Sequence, residues 1–200
     1  PNGVPDGLID DLDRTYLGSP VPEFFYGFSL NANYRKFDFS IIGQGTSGNE
    51  IFNNARLTLE DYTNSTESGD NQSISVLNRW TGPGSSNEIP RAIVNGGPNA
   101  NNRMSDRWIE DGSFLRIRNI QLGYSIPQDA FSSIKANMIK KGRVYVNAQN
   151  MFTFTNYSGL DPEATRGFTF SRGETPLISG QDDGRTPTPV TIQMGIQLTF

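Results

Sequence analysis

The sequence predicts an all-β protein built on five antiparallel strands. Three observations predict it. Five segments, each about 9–12 residues long, alternate apolar and polar side chains with a period of two. The polar positions hold Asn, Gln, Ser, Thr and Gly with almost no charge, which suits an enclosed wet interior better than an open surface. The connections alternate between short and long: two residues, then about 65, then a compact helical link, then about 35.

Composition narrows the class. Hydrophobic residues are 34% of 200, low for a chain with a large core of its own, while 11% aromatics, including 13 Phe, exclude disorder. A net charge of −4 argues against a nucleic-acid partner. The chain contains no Cys and no His, so within it disulfides, thiolate catalysis, zinc fingers and a Ser/His/Asp triad are excluded. No apolar run approaches the roughly 20 residues of a membrane helix, and no signal peptide is visible at Pro1.

The elements follow in order. Residues 1–22 read as a loop with an Asp-rich turn. Residues 23–46 form a hairpin. Tyr26, Phe28, Leu30, Ala32 and Tyr34 alternate with Gly27, Ser29, Asn31 and Asn33. After the turn Arg35-Lys36, Phe37, Phe39, Ile41 and Gly43 alternate with Asp38, Ser40, Ile42 and Gln44. Residues 47–112 are a long polar stretch with a short helix expected near Asn53 to Tyr62 and loop for the rest.

Residues 113–153 hold a strand, a helical link and a strand. In FLRIRNIQLGYSIP, Ile120, Leu122 and Tyr124 oppose Asn119, Gln121 and Gly123. Arg116 and Arg118 share the parity of Ile120, so the upper half of this strand is expected to stay out of lipid. Pro127 ends the strand, and QDAFSSIKANMIKK follows as a short amphipathic helix with Ala130, Phe131, Ile134 and Met138 on one side. In GRVYVNAQNMFTF, Val144, Val146, Ala148, Phe152 and Phe154 alternate with Tyr145, Asn147, Gln149 and Thr153, and Asn150 is the one departure on the apolar face. Residues 154–189 are a second long loop. Residues 190–200 end the chain with a strand in which Ile192, Met194, Ile196, Leu198 and Phe200 alternate with Gln, Thr and Gly.

This strand length crosses a bilayer at a tilt, and short turns at one end with long loops at the other are a transmembrane-barrel pattern. Tyr34, Phe37, Tyr124 and Phe200 fall at the short-turn ends, and Phe25, Tyr26, Phe152 and Phe154 at the other, as two interfacial aromatic girdles would. Five strands cannot close a barrel, and an open edge in hydrocarbon is costly, so a larger barrel is expected around them.

The motifs DGSFLRIRNIQLGYSIP, GRVYVNAQNMFTFTNYSGLDPE and a strand ending in Phe, preceded by DGLIDDLDRTYLGSPVPEFFYGFSLNANYRKFDFSIIGQGTSGNEIFN and RWTGPGSSNEIPRA, cover nearly the whole chain. They resemble the C-terminal region of SusC/RagA-type TonB-dependent outer-membrane transporters. The resemblance implies the last five antiparallel strands of a large, 22-stranded transmembrane β-barrel around a plug. It also implies long extracellular loops and one short periplasmic helical link. It further implies an importer of oligosaccharides or peptides in the outer membrane of a Gram-negative bacterium. The partners would be a SusD-like lipoprotein lid, the TonB complex (reached through segments upstream of this chain), outer-membrane lipid and the barrel-assembly machinery. That machinery would read Ile192, Met194, Ile196, Leu198 and Phe200 as an assembly signal, by strand addition at an exposed edge.

Candidate site residues follow. Asn31, Asn33, Gln44, Gln121, Asn147, Gln149 and Gln193 are expected to face the lumen. Trp80, Trp108, Tyr157 and Phe168 lie in or beside the long loops and could stack on sugars, or instead pack among the loops, the plug or the lid. NGVPDGLIDDLD resembles a calcium loop with Asp6, Asp10 and Asp13 as ligands, although Val4 supplies no oxygen at the third position. The competing reading is a capped Asp-rich turn. No other cofactor is expected. Asp10/Asp11, Glu110/Asp111 and Asp182/Asp183 read as solvated turns, and no catalytic constellation is visible, so no enzyme activity is expected. The alternative class is a soluble extracellular β-sandwich that binds glycans or mediates adhesion; the uncharged polar faces argue against it.

Overall fold

A computed structural model describes residues 13–61, 71–93, 101–133, 139–163 and 180–200. The chain divides into two compact units, one of residues 22–49, 112–157 and 187–200, the other of 1–21, 50–111 and 158–186.

The first unit is one sheet. Its strands are β1 (Phe24–Tyr34), β2 (Phe37–Ser47), β5 (Phe114–Ile126), β6 (Lys141–Thr155) and β8 (Thr191–Thr199), in the order β1-β2-β5-β6-β8. Every pairing is antiparallel. Neighbouring strands are antiparallel and paired in register, so the period-two pattern of one strand matches that of the next. Leu30, Ile41, Ile120, Ala148 and Ile192 form one row across all five strands. Asn31, Ser40, Gln121, Asn147 and Gln193 form the next. Consecutive side chains point to opposite faces, so one face is apolar and the other carries amides and hydroxyls. A slip of one residue would exchange them.

The apolar face is open: Met194 is 81% exposed, Ile196 70% and Leu30 57%. At the short-turn end Tyr34, Phe37 and Tyr124 fall in one row, with the Phe37 and Tyr124 ring centroids 4.9 Å apart. At the other end Tyr26, Phe152 and Phe154 share this face, but Phe25 pairs with Thr46 and stands on the opposite one. The Phe28 and Tyr26 rings lie over Gly43 and Gly45, where a Cβ would collide with them, and Tyr26 Oη donates to Phe114 O at 3.0 Å. An aromatic laid across a strand glycine covers backbone that the glycine leaves bare.

One feature departs from the alternation. Ile42 pairs with Asn119 while Gly43 pairs with Ile117, so Arg118 is an extra residue in β5. Against it β6 sets Asn150 and Met151 between Gln149 and Phe152. Such a bulge inverts the parity of the strand beyond it. Arg116 therefore joins the row of Gly27, Gln44 and Thr153 on the polar face, and Ile117 joins Phe28, Gly43 and Phe152 on the apolar one. This corrects the parity read from sequence, which put Arg116 with Ile120 and kept this half of the strand out of lipid. The same bulge accounts for Asn150, whose φ of 54° is left-handed. Between β5 and β6, α2 (Gln128–Ser133) tucks the buried Phe131 over Gly142; Ile134 and Met138 lie outside the described residues.

The second unit is built from the stretch that alternation left as loop. It contains β3 (Glu50–Asn53), α1 (Asn54–Glu60), a 3-10 turn (Ile74–Asn78), β4 (Ile109–Asp111) and β7 (Gln181–Asp182), with strand order β4-β3-β7. Asn53 caps α1, its Oδ1 accepting from Arg56 N at 2.9 Å. Ile51, Val76, Ile89 and Trp108 are the buried apolar side chains among its described residues. They are spaced without period along 58 residues of chain, which is why sequence pattern does not announce them.

Candidate functional site

All seven residues expected to face a lumen stand on the polar face. Asn31, Gln121, Asn147 and Gln193 share its middle row with Ser40. Gln149 pairs with Asn119 and Thr191, Gln44 with Gly27 and Arg116, and Asn33 with Asp38. Their wall is made of neutral donors and acceptors. Asn147 Oδ1 is buried and accepts no hydrogen bond among the described residues, an unused acceptor at the centre of the wall.

Charge enters this face at two places. Near the short-turn end, Arg143 of β6 forks onto Asp38 of β2, with Nε at 2.9 Å from Oδ1 and Nη2 on Oδ2. The pair reaches across β5 over Gly123, where any Cβ would meet both partners. Arg143 also stacks on Tyr145, 5.1 Å from the ring centroid, and the Tyr145 ring covers Gly195. At the bulge, Arg116 is 3% exposed and donates from Nε to Thr153 Oγ1 at 2.9 Å. Arg118 donates to Asn150 Oδ1 at 3.3 Å. With the Gln44 amide turned so that its oxygen faces Arg118, that oxygen accepts from Nε and Nη2 at 2.9 and 2.6 Å. Sequence parity missed Arg116 because only the register reveals the bulge.

The loop unit holds a separate polar network around Trp108. Glu110 Oε1 accepts from Asn53 Nδ2 at 3.1 Å, Arg56 Nη1 at 3.1 Å and Ser158 Oγ at 2.8 Å, and Oε2 accepts from Ser158 N at 2.9 Å. Burial opposes the Glu110 charge most strongly. The bonds from Ser158, Arg56 and Asn53 together outweigh it and hold the carboxyl below its ordinary range. Arg56 continues to Glu60 at 3.2 Å, and Glu60 accepts from Arg107 at 2.9 Å. Burial disfavours the Arg56 cation, but Glu110 and Glu60 more than offset it, so its pKa is raised. The Arg107 guanidinium lies 4.5 Å from the centroid of the Trp108 ring, and Trp108 Nε1 donates to Arg103 O at 3.2 Å.

Glu110 is thus no solvated turn, as its pairing with Asp111 suggests in sequence. Strand β4 turns Glu110 inward and Asp111 out. Asp182 is also buried, accepting from Gly184 N at 2.8 Å. The reading of Glu110 failed because its partners came from segments 48 and more residues away; Asp182 lies in β7, paired with Asn53 of β3.

The candidate stacking aromatics part company. Trp108 and Tyr157 are buried, at 2% and 6% exposure, so they pack and offer no open ring face. Trp80 is half-buried, its N bonded to Ile89 O at 2.9 Å and its ring 5.8 Å from Arg91. Phe168 lies outside the described residues, as do Asp6 and Asp10 of the calcium turn; Asp13 is exposed. Among the described residues no group of three acidic side chains is gathered to hold a metal. Ile192, Met194, Ile196 and Leu198 stand exposed on the β8 edge strand, followed by Phe200.

Comparison with known proteins gives this arrangement its relatives. TonB-dependent receptor P26 of Formosa agariphila is 32% identical over 98% of this chain and 19% of its own length. TonB-dependent receptor SusC of Bacteroides thetaiotaomicron is 28% identical over 98% of the chain and 17% of its own. The solved structure of the RagAB peptide transporter superposes with a TM-score of 0.69 at 28% identity, covering 87% of this chain and 17% of that one. The chain is of the SusC/RagA type, matching a C-terminal region. No family model matches it. It spans about a fifth of the length of the curated relatives it matches. The SusC/RagA relatives are receptors and transporters, not enzymes, and the five-stranded sheet is the wall type of their barrels.

Proposed function

We propose that this chain supplies the last five staves of a 22-stranded barrel in the outer membrane of a Gram-negative bacterium. The complete protein imports oligosaccharides or peptides, driven by the TonB complex and lidded by a SusD-like lipoprotein. The observation that carries the reading is the division of one sheet into an uncovered apolar face and a face of amides and hydroxyls. Only a solvent that is itself apolar stabilises the first, and only water, cargo or a polar plug satisfies the second. The relatives' names supply the importer role, the RagAB title a peptide cargo, and the SusC and RagAB likeness the lipoprotein partner. In this reading Asn31, Asn33, Gln44, Gln121, Asn147, Gln149 and Gln193 line the lumen, and Asn147 Oδ1 accepts a bond from the plug.

The test uses the complete protein. Expressed with its signal peptide and lipoprotein partner, it should fractionate with outer membranes, require detergent for a monodisperse species, and support uptake of a fluorescent peptide or oligosaccharide that stops when TonB is deleted. A monodisperse species in water without detergent would overturn the reading in favour of a soluble module.

A further inference from the structure

We propose that Gly27 floors a notch in the polar face of the sheet, and that the notch seats one ring of a neutral oligosaccharide against Phe25. Among the described strand residues, Gly27 is the glycine that no side chain covers. On the same face Gly123 lies under the Arg143–Asp38 fork and Gly195 under the Tyr145 ring, where an added Cβ would collide with the cover. On the apolar face Gly43, Gly45 and Gly142 lie under the rings of Phe28, Tyr26 and Phe131. A Cβ at Gly27 would approach no side-chain atom closer than Gln44 Cβ at 3.9 Å, and its other neighbour is Gly43 O at 3.3 Å. A strand glycine left bare in this way marks a place where something from outside approaches the backbone.

The walls of the notch have two characters. Phe25 stands on the same face two residues back along β1 and is 74% exposed. Two residues forward is Ser29, whose Oγ accepts from Asn31 Nδ2 at 3.3 Å. Opposite Gly27 on β2 is Gln44, whose turned amide oxygen accepts from Arg118 and so fixes the side chain. Ile42 pairs with Ser29 and is 41% exposed, a second apolar side chain on this face. It lies two pleat repeats, about 14 Å, from Phe25 along the strands. An open ring face beside neutral amides and hydroxyls matches a sugar ring, whose C–H face stacks while its hydroxyl rim forms hydrogen bonds. The apolar side chain of a peptide would gain little there, because a ring so exposed encloses nothing. Phe25 belongs to the outermost row of the face, with Thr46, Phe114 and Thr155, at the end from which the long connections leave. Cargo arrives at that end if the chain is an importer, so naming cargo as the occupant rests on that reading.

Binding is measurable without transport. The complete transporter in detergent would be titrated with maltohexaose, laminarihexaose, cellohexaose and mannohexaose, and with a neutral capped hexapeptide of alternating Ala and Leu. At least one hexasaccharide should bind. Phe25→Ala should weaken that binding about tenfold. Phe25→Trp should keep it, and the emission of the added indole should shift when the sugar binds. Gly27→Leu fills the notch and should weaken binding at least as much as Phe25→Ala. Should Gly27→Leu not fold, the two variants at the exposed Phe25 still decide the matter. Failure of all four sugars to bind, unchanged affinity in Phe25→Ala, or peptide binding that depends on Phe25 would overturn the proposal. So would unchanged sugar affinity in Phe25→Ala and Gly27→Leu together with new protease cleavage upstream of this chain, which would make the plug the occupant. Phe25-dependent sugar binding without TonB-dependent uptake would sink the importer reading and leave the notch standing. TonB-dependent uptake with binding indifferent to Phe25 would do the reverse.

Discussion

The two units of this chain solve burial in opposite ways. The five-stranded sheet leaves its largest apolar side chains open on one face and spends its polar groups in rows on the other. The loop unit encloses Trp108 and Ile51 and buries ionised groups beside them, each with partners. A sheet can expose Met194 only if something apolar meets it from outside. A loop unit of 3-10 turns and short strands has no such support and must make its own interior. The lesson is that stability in the sheet is set by its surroundings, and in the loops by a few side chains.

Removing those few gives the largest expected effect. Trp108→Ala deletes a fully buried ring and two cation–π partners, Arg107 and Arg56, at a cost of about 3–5 kcal/mol to the loop unit. Limited proteolysis of the complete transporter should cleave within residues 50–111, while the heat-modifiable migration of the barrel is retained. Retained protease resistance would show that Trp108 is not the keystone its burial suggests.

The sheet is best probed by comparing neighbours. Ile120→Arg places a charge in the middle apolar row and should cost about 2–4 kcal/mol of barrel stability in lipid vesicles. Gln121→Arg, one residue on and on the other face, should cost under about 1 kcal/mol. Urea unfolding in vesicles reads both; equal costs would mean that the two faces do not meet different media.

The smallest effect is the acid sensitivity of the loops. The folded Glu110 pKa lies below its ordinary value of 4.5, so its contribution is present above that value and lost as pH falls through the lower folded one. Protection of the loop unit in hydrogen exchange should hold at pH 5 and decline below about 4.5. Glu110→Gln should weaken it by about 1–2 kcal/mol at neutral pH and flatten that decline. Arg56, whose pKa is raised, stays charged throughout and adds no pH dependence in this window.

How much was legible differs between the two units for the same reason. Alternation found all five long strands and both faces, because a strand's two faces are written locally, two residues apart. It misplaced Arg116, since one inserted residue inverts parity without disturbing composition. It set Phe25 beside Tyr26 in a single girdle, although adjacent residues point apart. The loop unit left no period to read: Ile51 meets its strand partner Glu110 only after 59 residues of chain. Glu110 looked like a solvated carboxylate because Ser158 and Arg56 are remote in sequence.

The sequence by itself therefore determined a β architecture with one greasy and one amide-bearing face, and the family that uses it. Tertiary structure alone decided which charges are buried, where the bulge turns Arg116, and that Trp108 is core. Side-chain direction along a strand is a local property of the backbone. Whether a charge is paired depends on what distant segments bring to it.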